Sequence, residues 1–183
     1  MNRMKKVGAT SIVLLLFLLT SCASNTEWRA YRDGLFQGYT NLQNGEYQPA
    51  IQQFLQANKG DPTKAIPLAL AGQAAYQMGN YAQASQYLAQ AESLVNGPDA
   101  AYLIIKGYQA LIAFRANRQD EGMAALGEYV RVYRFNYPDR TYYDVERMYQ
   151  SKNIVLPTLE NFINNEMARY ESELQQWGWT RGG

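Results

Sequence analysis

The residue types that support common catalytic and metal-binding chemistry are almost missing from this sequence. Its 183 residues include no histidine and one cysteine, Cys22. A Ser-His-Asp triad, a Cys-His pair and a His/Cys metal cluster are therefore excluded. Carboxylates such as Glu27, Asp33 and Glu46 remain for general acid and base chemistry, but they are scattered over helix-like segments. We predict that the protein is not an enzyme and needs no metal or cofactor, with a carboxylate-dependent hydrolase as an alternative.

Cys22 stands at the end of a segment with the features of a secretory leader. Arg3, Lys5 and Lys6 give the first residues a positive charge without any acid. An apolar run of eight residues follows at 12–19. This run is too short to cross a hydrocarbon core of about 30 Å as a helix. The order of charge, apolar run and small residues is typical of a signal peptide.

The four residues Leu19-Thr20-Ser21-Cys22 resemble the lipobox of bacterial lipoproteins. The resemblance implies that residues 1–21 are removed, that Cys22 is lipidated, and that 22–25 form a short linker. Two or more acyl chains give stable membrane attachment. Ala23 follows the cysteine, where an Asp would resemble an inner-membrane retention signal. The expected location is therefore the cell envelope, at the outer membrane and facing the periplasm.

The composition of the mature chain, 22–183, indicates one helical domain without a nucleic-acid partner. Its basic residues fall to 14 against 16 acids once the leader is removed, so no basic surface is expected. Without a second cysteine no disulfide can form, and the core alone must hold the fold. The chain is rich in Ala, Gln and Leu and has no sustained alternating pattern, which predicts an all-α fold.

An internal repeat with an offset of 34 residues is visible between "GYTNLQNGEYQPAIQQFLQA" at 38–57 and "GQAAYQMGNYAQASQYLAQA" at 72–91. A third, weaker copy at 111–130 has Asn117 at the position of the turn glycine and Gly122-x₃-Leu126 in its second half. Six positions coincide between the first two copies: Gly38/Gly72, Gly45/Gly79, Tyr47/Tyr81, Ala50/Ala84, Phe54/Leu88 and Ala57/Ala91.

These positions resemble the tetratricopeptide repeat (TPR), in which small residues, a Gly-x-Tyr turn and Ala-x₃-Phe recur every 34 residues. The resemblance implies an α-solenoid of about three helix-turn-helix repeats over 26–138, at about 31–64, 65–98 and 99–136. Gly45 and Gly79 are expected to turn the chain with a left-handed backbone. Residues 139–183 are expected to form C-terminal capping helices and a tail.

The capping region is expected to contain two helices. One is predicted over 139–149. The other, over 158–177, carries one apolar stripe on a charged helix. The tyrosines of the segment 132–149 either pack against these helices or offer a second contact surface. The stripe consists of Leu159, Ile163, Met167, Tyr170, Leu174 and Trp177.

The TPR resemblance also implies that the first helix of each repeat faces a groove that binds a partner peptide or helix. The chain lacks the Lys and Asn clamp with which chaperone-binding TPRs hold a terminal carboxylate, so that function is not expected. Tyrosine at helical spacing is also compatible with ordinary core packing. The expected groove residues are Leu35, Tyr39, Leu42, Gln73, Tyr76, Gln77, Tyr108, Leu111 and Arg115.

The expected function is that of a lipid-anchored scaffold or adaptor that binds another cell-envelope protein in an assembly or secretion complex. Its plan is similar to that of TPR lipoproteins of pilus-secretin and β-barrel assembly. One alternative is an adaptor that docks peptidoglycan-remodelling enzymes. The other is the periplasmic hydrolase with carboxylates such as those named above.

Overall fold

The computed structural model describes residues 26–136 and 143–166. Within these ranges all regular structure is helical, and no strand occurs. The prediction of an all-α fold is confirmed for this part of the chain. The helices are α1 (26–43), α2 (Tyr47–Gly60), α3 (Ala65–Gln77), α4 (Tyr81–Glu92), α5 (Ala100–Arg115), α6 (Gln119–Asn136), α7 (Tyr143–Ser151) and α8 (described over 156–166).

Three turns, after α1, α3 and α5, share one backbone geometry. Each has a left-handed residue: Gly45 at φ 75°, Gly79 at φ 79° and Asn117 at φ 61°. The N–H of that residue donates to the carbonyl three positions back, and the next N–H donates to the carbonyl five positions back. This is the Schellman arrangement that ends helices. The prediction that Gly45 and Gly79 need left-handed backbone angles is confirmed.

Small residues let the two helices on either side of each turn pack closely. A Cβ built on Gly38 of α1 would lie 2.4 Å from the Phe54 ring of α2. A Cβ on Gly72 of α3 would lie 2.7 Å from Leu88 Cγ of α4. Phe54 and Leu88 are fully buried and fill the space that the glycines leave. The repeat thus places the same small-against-large contact in the first two helix pairs.

The described helices pack mainly against their neighbours in the chain. Besides the helix pairs themselves, α3 contacts α2 and α5, and α5 contacts α4. Further along, α7 packs on α6. A built Cβ on Gly127 of α6 would lie 2.7 Å from the hydroxyl oxygen of Tyr149 in α7. Over 26–136 the result is a row of helices packed side by side and joined by connections of three to seven residues.

The two central helices, α3 and α5, are buried almost all round. Eleven of the 13 residues of α3 and 11 of the 16 residues of α5 are buried. A helix that is apolar on every side needs neighbours on every side. For α3 and α5 those neighbours include α2, α4 and α6, together with α8 on the remaining face.

Several expectations fall outside the described residues. In the stretch expected to form the third repeat, about 99–136, the structure has α5 and α6. The leader 1–21, Cys22 and the linker 22–25 are not described. The same holds for the later members of the C-terminal stripe: Met167, Tyr170, Leu174 and Trp177. None of the described helices combines the length and apolar character needed to cross a bilayer.

Candidate functional site

The part of the expected partner-binding face that α3 and α5 form is covered by the chain's own helix α8. Leu159 and Ile163, the first two members of the predicted C-terminal stripe, are fully buried. Ile163 Cγ2 lies 3.0 Å from where a Cβ on Gly107 of α5 would stand. The absence of a side chain at position 107 therefore lets α8 approach α5 closely.

A cluster of Tyr76, Arg115 and Glu160 joins three helices at one end of this contact. Arg115 Nε donates to the Tyr76 hydroxyl over 2.8 Å, and Tyr76 donates to Glu160 Oε1 over 2.8 Å. Arg115 Nη2 also donates to Glu160 Oε2 over 2.5 Å. The guanidinium lies 5.6 Å from the ring centre of Tyr76 and 5.5 Å from that of Tyr81. Charge-assisted hydrogen bonds of this kind fix orientation as well as contributing energy.

One helical turn further along α8, Asn164 makes a second polar link to α3 and α5. Its Oδ1 accepts from Gln77 Nε2 and from the hydroxyl of Tyr108, each over 2.9 Å. The ring of Tyr108 is fully buried and lies 5.1 Å from that of Tyr76. Buried polar groups need such partners, because an unmade hydrogen bond there costs about 1–3 kcal/mol.

The far part of α8 contacts α6. The Tyr133 hydroxyl donates to Glu166 Oε2 over 2.8 Å, and both residues are buried. Phe162 lies edge-on to the rings of Tyr129 and Tyr133, with centres 6.4 Å and 5.6 Å away. The described part of α8 thus links α3, α5 and α6. We expected capping helices at the end of the row. α7 packs on α6, the last helix of the third pair, whereas α8 runs back to contact α3 and α5 in the middle of the row.

In the described residues, α8 lies against the part of the expected groove that α3 and α5 form. Tyr76, Gln77, Tyr108 and Arg115 are brought together, but they hold α8. Their role in binding another protein stays a prediction. Of the nine expected groove residues, Leu35 and Gln77 are half-buried and Arg115 is exposed, whereas six are buried: Tyr39, Leu42, Gln73, Tyr76, Tyr108 and Leu111.

The side chains of Tyr76, Arg115 and Glu160 hold α8 against α3 and α5 through hydrogen bonds. Burial, together with the nearby Glu160, raises the pKa of Tyr76 despite the hydrogen bond from Arg115. The phenol therefore keeps its proton and acts as a hydrogen-bond donor at neutral pH. The carboxylates considered for hydrolysis, Glu27, Asp33 and Glu46, are all exposed on α1 and at the start of α2. In the described part of the chain, no group of acidic and sulfur ligands forms a metal site.

Neither protein-family models nor curated proteins provide a match for this chain.

The link between Arg115 and Glu160 gives a first testable prediction. Arg115→Gln and Glu160→Gln should each lower the free energy of unfolding, with a coupling of about 1 kcal/mol between them, because both side chains are partly screened from water. A double-mutant cycle by urea denaturation measures it. The matched control is the exposed pair Arg131 and Glu128, where no measurable coupling is expected. Equal coupling in both pairs would contradict the prediction.

Proposed function

We propose that this chain is a lipid-anchored adaptor built from TPR-type helical repeats, which binds another protein of the cell envelope. The observation that supports the repeat is a turn of the same backbone geometry at Gly45, Gly79 and Asn117. These three residues are spaced by 34 and 38 positions. Repeats of this kind stack helix pairs into extended binding surfaces. The wider second spacing accommodates the longer connection over 93–99 between α4 and α5.

The anchor in this proposal is Cys22, on the strength of the leader and the four residues that resemble a lipobox. Only three residues lie between Cys22 and Thr26, where the described part of α1 begins. At no more than about 3.5 Å per residue, the two Cα atoms are at most about 14 Å apart. The helical domain therefore works on partners close to the membrane surface.

The contact with α8 indicates what a partner would have to resemble at the central face. Leu159 and Ile163 are four residues apart and enter the apolar surface, while Glu160 and Asn164 pair with its polar groups. A partner helix bound at this face has to displace α8, with loss of these contacts. A partner that leaves α8 in place binds another surface of the row.

Acylation of Cys22 is the first test of the proposal. Cells fed an alkyne analogue of palmitate should label the protein, and the mass of the mature N-terminal peptide should show an acylated cysteine. Cys22→Ser should abolish labelling and membrane retention, because no thiol remains to receive the lipid. Ser21→Ala, which keeps a small residue at the cleavage site, is the control and should remain labelled. An unmodified Cys22 in membrane fractions would overturn the anchor.

The identity of the partner separates the two adaptor functions. Crosslinking in intact cells, followed by purification from detergent-solubilised membranes, should recover secretin or barrel-assembly subunits if the chain belongs to such a machine. Recovery of peptidoglycan enzymes would favour the second adaptor function. Hydrolysis by the purified protein that is lost on replacing one carboxylate would replace both with the enzyme.

A further inference from the structure

We infer that the exposed face of α1 around Trp28 lies against the lipid surface to which the chain is tethered. The inference rests on the proposed lipid anchor. It adds a surface of the protein that contacts the bilayer, and it names the class of lipid that this surface favours. It concerns residues of the described part of the chain, all within the first three turns of α1.

Trp28, Arg32 and Phe36 follow one another at intervals of four and so share one face of α1. Trp28 is 58% exposed and Phe36 is 49% exposed, and among the described residues only Val155 is a large hydrophobic side chain of comparable exposure. The Arg32 guanidinium lies 5.9 Å from the Trp28 ring centre. Tryptophan and arginine on one helix face are the side chains that suit a membrane interface, since the ring enters the headgroup region while the charge stays among the phosphates.

The surroundings of Trp28 are weakly basic. A Cβ on Gly60 would lie 2.5 Å from the backbone nitrogen of Tyr31, so the end of α2 abuts the first turns of α1. Arg29, Arg32, Lys59 and Lys64 are the exposed basic residues there, against the acids Glu27, Asp33 and Asp61. Asp33 is paired with Arg32 over 3.0 Å, and Asp61 remains a charged acceptor for the hydroxyl and N–H of Thr63. Four basic residues against three acids leave this patch with a net charge of +1, which gives a weak preference for anionic over neutral phospholipid.

The position of the lipid anchor at Cys22 determines which surface of the protein faces the membrane. With Cys22 inserted by its acyl chains, the start of α1 is held within about 14 Å of the anchor residue. Trp28 lies two residues beyond Thr26, in the first turn of the described helix. It is therefore the large exposed apolar side chain closest in sequence to the anchor. Burial of this ring would add to the attachment that the acyl chains provide.

Tryptophan fluorescence tests the inference on the acylated protein in vesicles of phosphatidylethanolamine and phosphatidylglycerol. The chain has three tryptophans, so Trp177→Phe and Trp179→Phe leave Trp28 as the only one. We expect blue-shifted emission, quenching by brominated phospholipid, and protection from acrylamide by at least about twofold compared with the unacylated protein in solution. Acrylamide quenching as strong as in solution, without quenching by the brominated lipid, would overturn the inference.

A second measurement separates failure of the anchor from failure of this surface. The unacylated mature chain should partition weakly onto phosphatidylglycerol vesicles and less onto phosphatidylcholine. Trp28→Ala should reduce that partition by at least about threefold, because the interfacial ring is lost. Met78→Ala, at an exposed methionine beyond α3, is the control and should change nothing. Partition that is insensitive to Trp28→Ala, with the helical circular dichroism unchanged, would overturn the inference even if Cys22 is acylated.

Discussion

Ile163→Asp is expected to detach α8 from the central helices and to lower the free energy of unfolding by about 4 kcal/mol or more. Ile163 is fully buried, and its Cγ2 lies against the position where Gly107 has no side chain. Removing a buried aliphatic side chain costs about 2–5 kcal/mol. An aspartate at this position adds the desolvation of a charge for which no basic partner is present among the described contacts of Ile163.

The measurement is urea denaturation followed by circular dichroism, combined with hydrogen exchange of α3, α5 and α8. The matched control is Asn161→Asp, which adds the same charge at an exposed position of the same helix and should have little effect. If Ile163→Asp leaves stability and exchange as in the unchanged protein, then α8 is not held by this contact. Our description of the central face would then be wrong.

The shape of the unfolding curve decides between two roles of α8. If α8 detaches first while α1–α6 stay folded, the variant should show two transitions and bind a hydrophobic dye through the uncovered rings of Tyr76 and Tyr108. A partner helix could then replace α8 at the face that the TPR resemblance assigns to binding. If the whole domain unfolds in one step, α8 is part of the core, and a partner has to bind elsewhere on the row.

The turns and the helix pairs could be predicted from the sequence because their causes are local. A left-handed turn favours glycine or asparagine, and Gly45, Gly79 and Asn117 mark three such positions in the chain. The close packing of paired helices needs a small residue opposite a large one 16 positions later, as in Gly38 with Phe54. Such signals lie within one repeat and recur at its period.

The position of α8 could not be predicted in the same way, because its contacts join residues far apart in the sequence. Tyr76 and Glu160 are 84 positions apart, and Arg115 and Glu160 are 45 apart. The sequence did contain one indication that α3 and α5 are covered, and we did not interpret it in that way. The sequences of α3 and α5 are apolar on nearly every side, whereas helices that line an open groove need a face suited to water.

The tyrosines show the same limit on what the sequence predicts. Tyr39, Tyr76 and Tyr108 recur on successive first helices, which suggested a partner surface, yet all three are buried. A tyrosine serves either purpose, because its ring packs in a core and its hydroxyl finds a polar partner there or at an interface. The Tyr76 hydroxyl accepts from Arg115 and donates to Glu160, and the Tyr108 hydroxyl donates to Asn164. Replacing all three by alanine should therefore destabilise the fold, so that a loss of partner binding in this variant would not show that the tyrosines contact the partner.

Gly38→Ala is expected to lower the free energy of unfolding by about 2 kcal/mol, although alanine favours helix over glycine by about 1 kcal/mol. The reason is that the new Cβ would lie 2.4 Å from Cε1 and 2.5 Å from Cδ1 of the Phe54 ring. That ring is fully buried and edge-on to Tyr39, with centres 5.7 Å apart, so it has little room to move. Urea denaturation of the purified protein gives the value.

A compensating change shows whether this contact is the cause. Phe54→Leu, which places at 54 the residue found at the equivalent position 88, should cost about 1 kcal/mol alone but recover part of the loss in Gly38→Ala. Gly97→Ala is the control, because a Cβ there meets nothing within 4 Å. If the two losses at 38 and 54 simply add, the ring of Phe54 is not what excludes a side chain at Gly38. The first two helix pairs would then owe their close packing to something other than the small-against-large contact that they share.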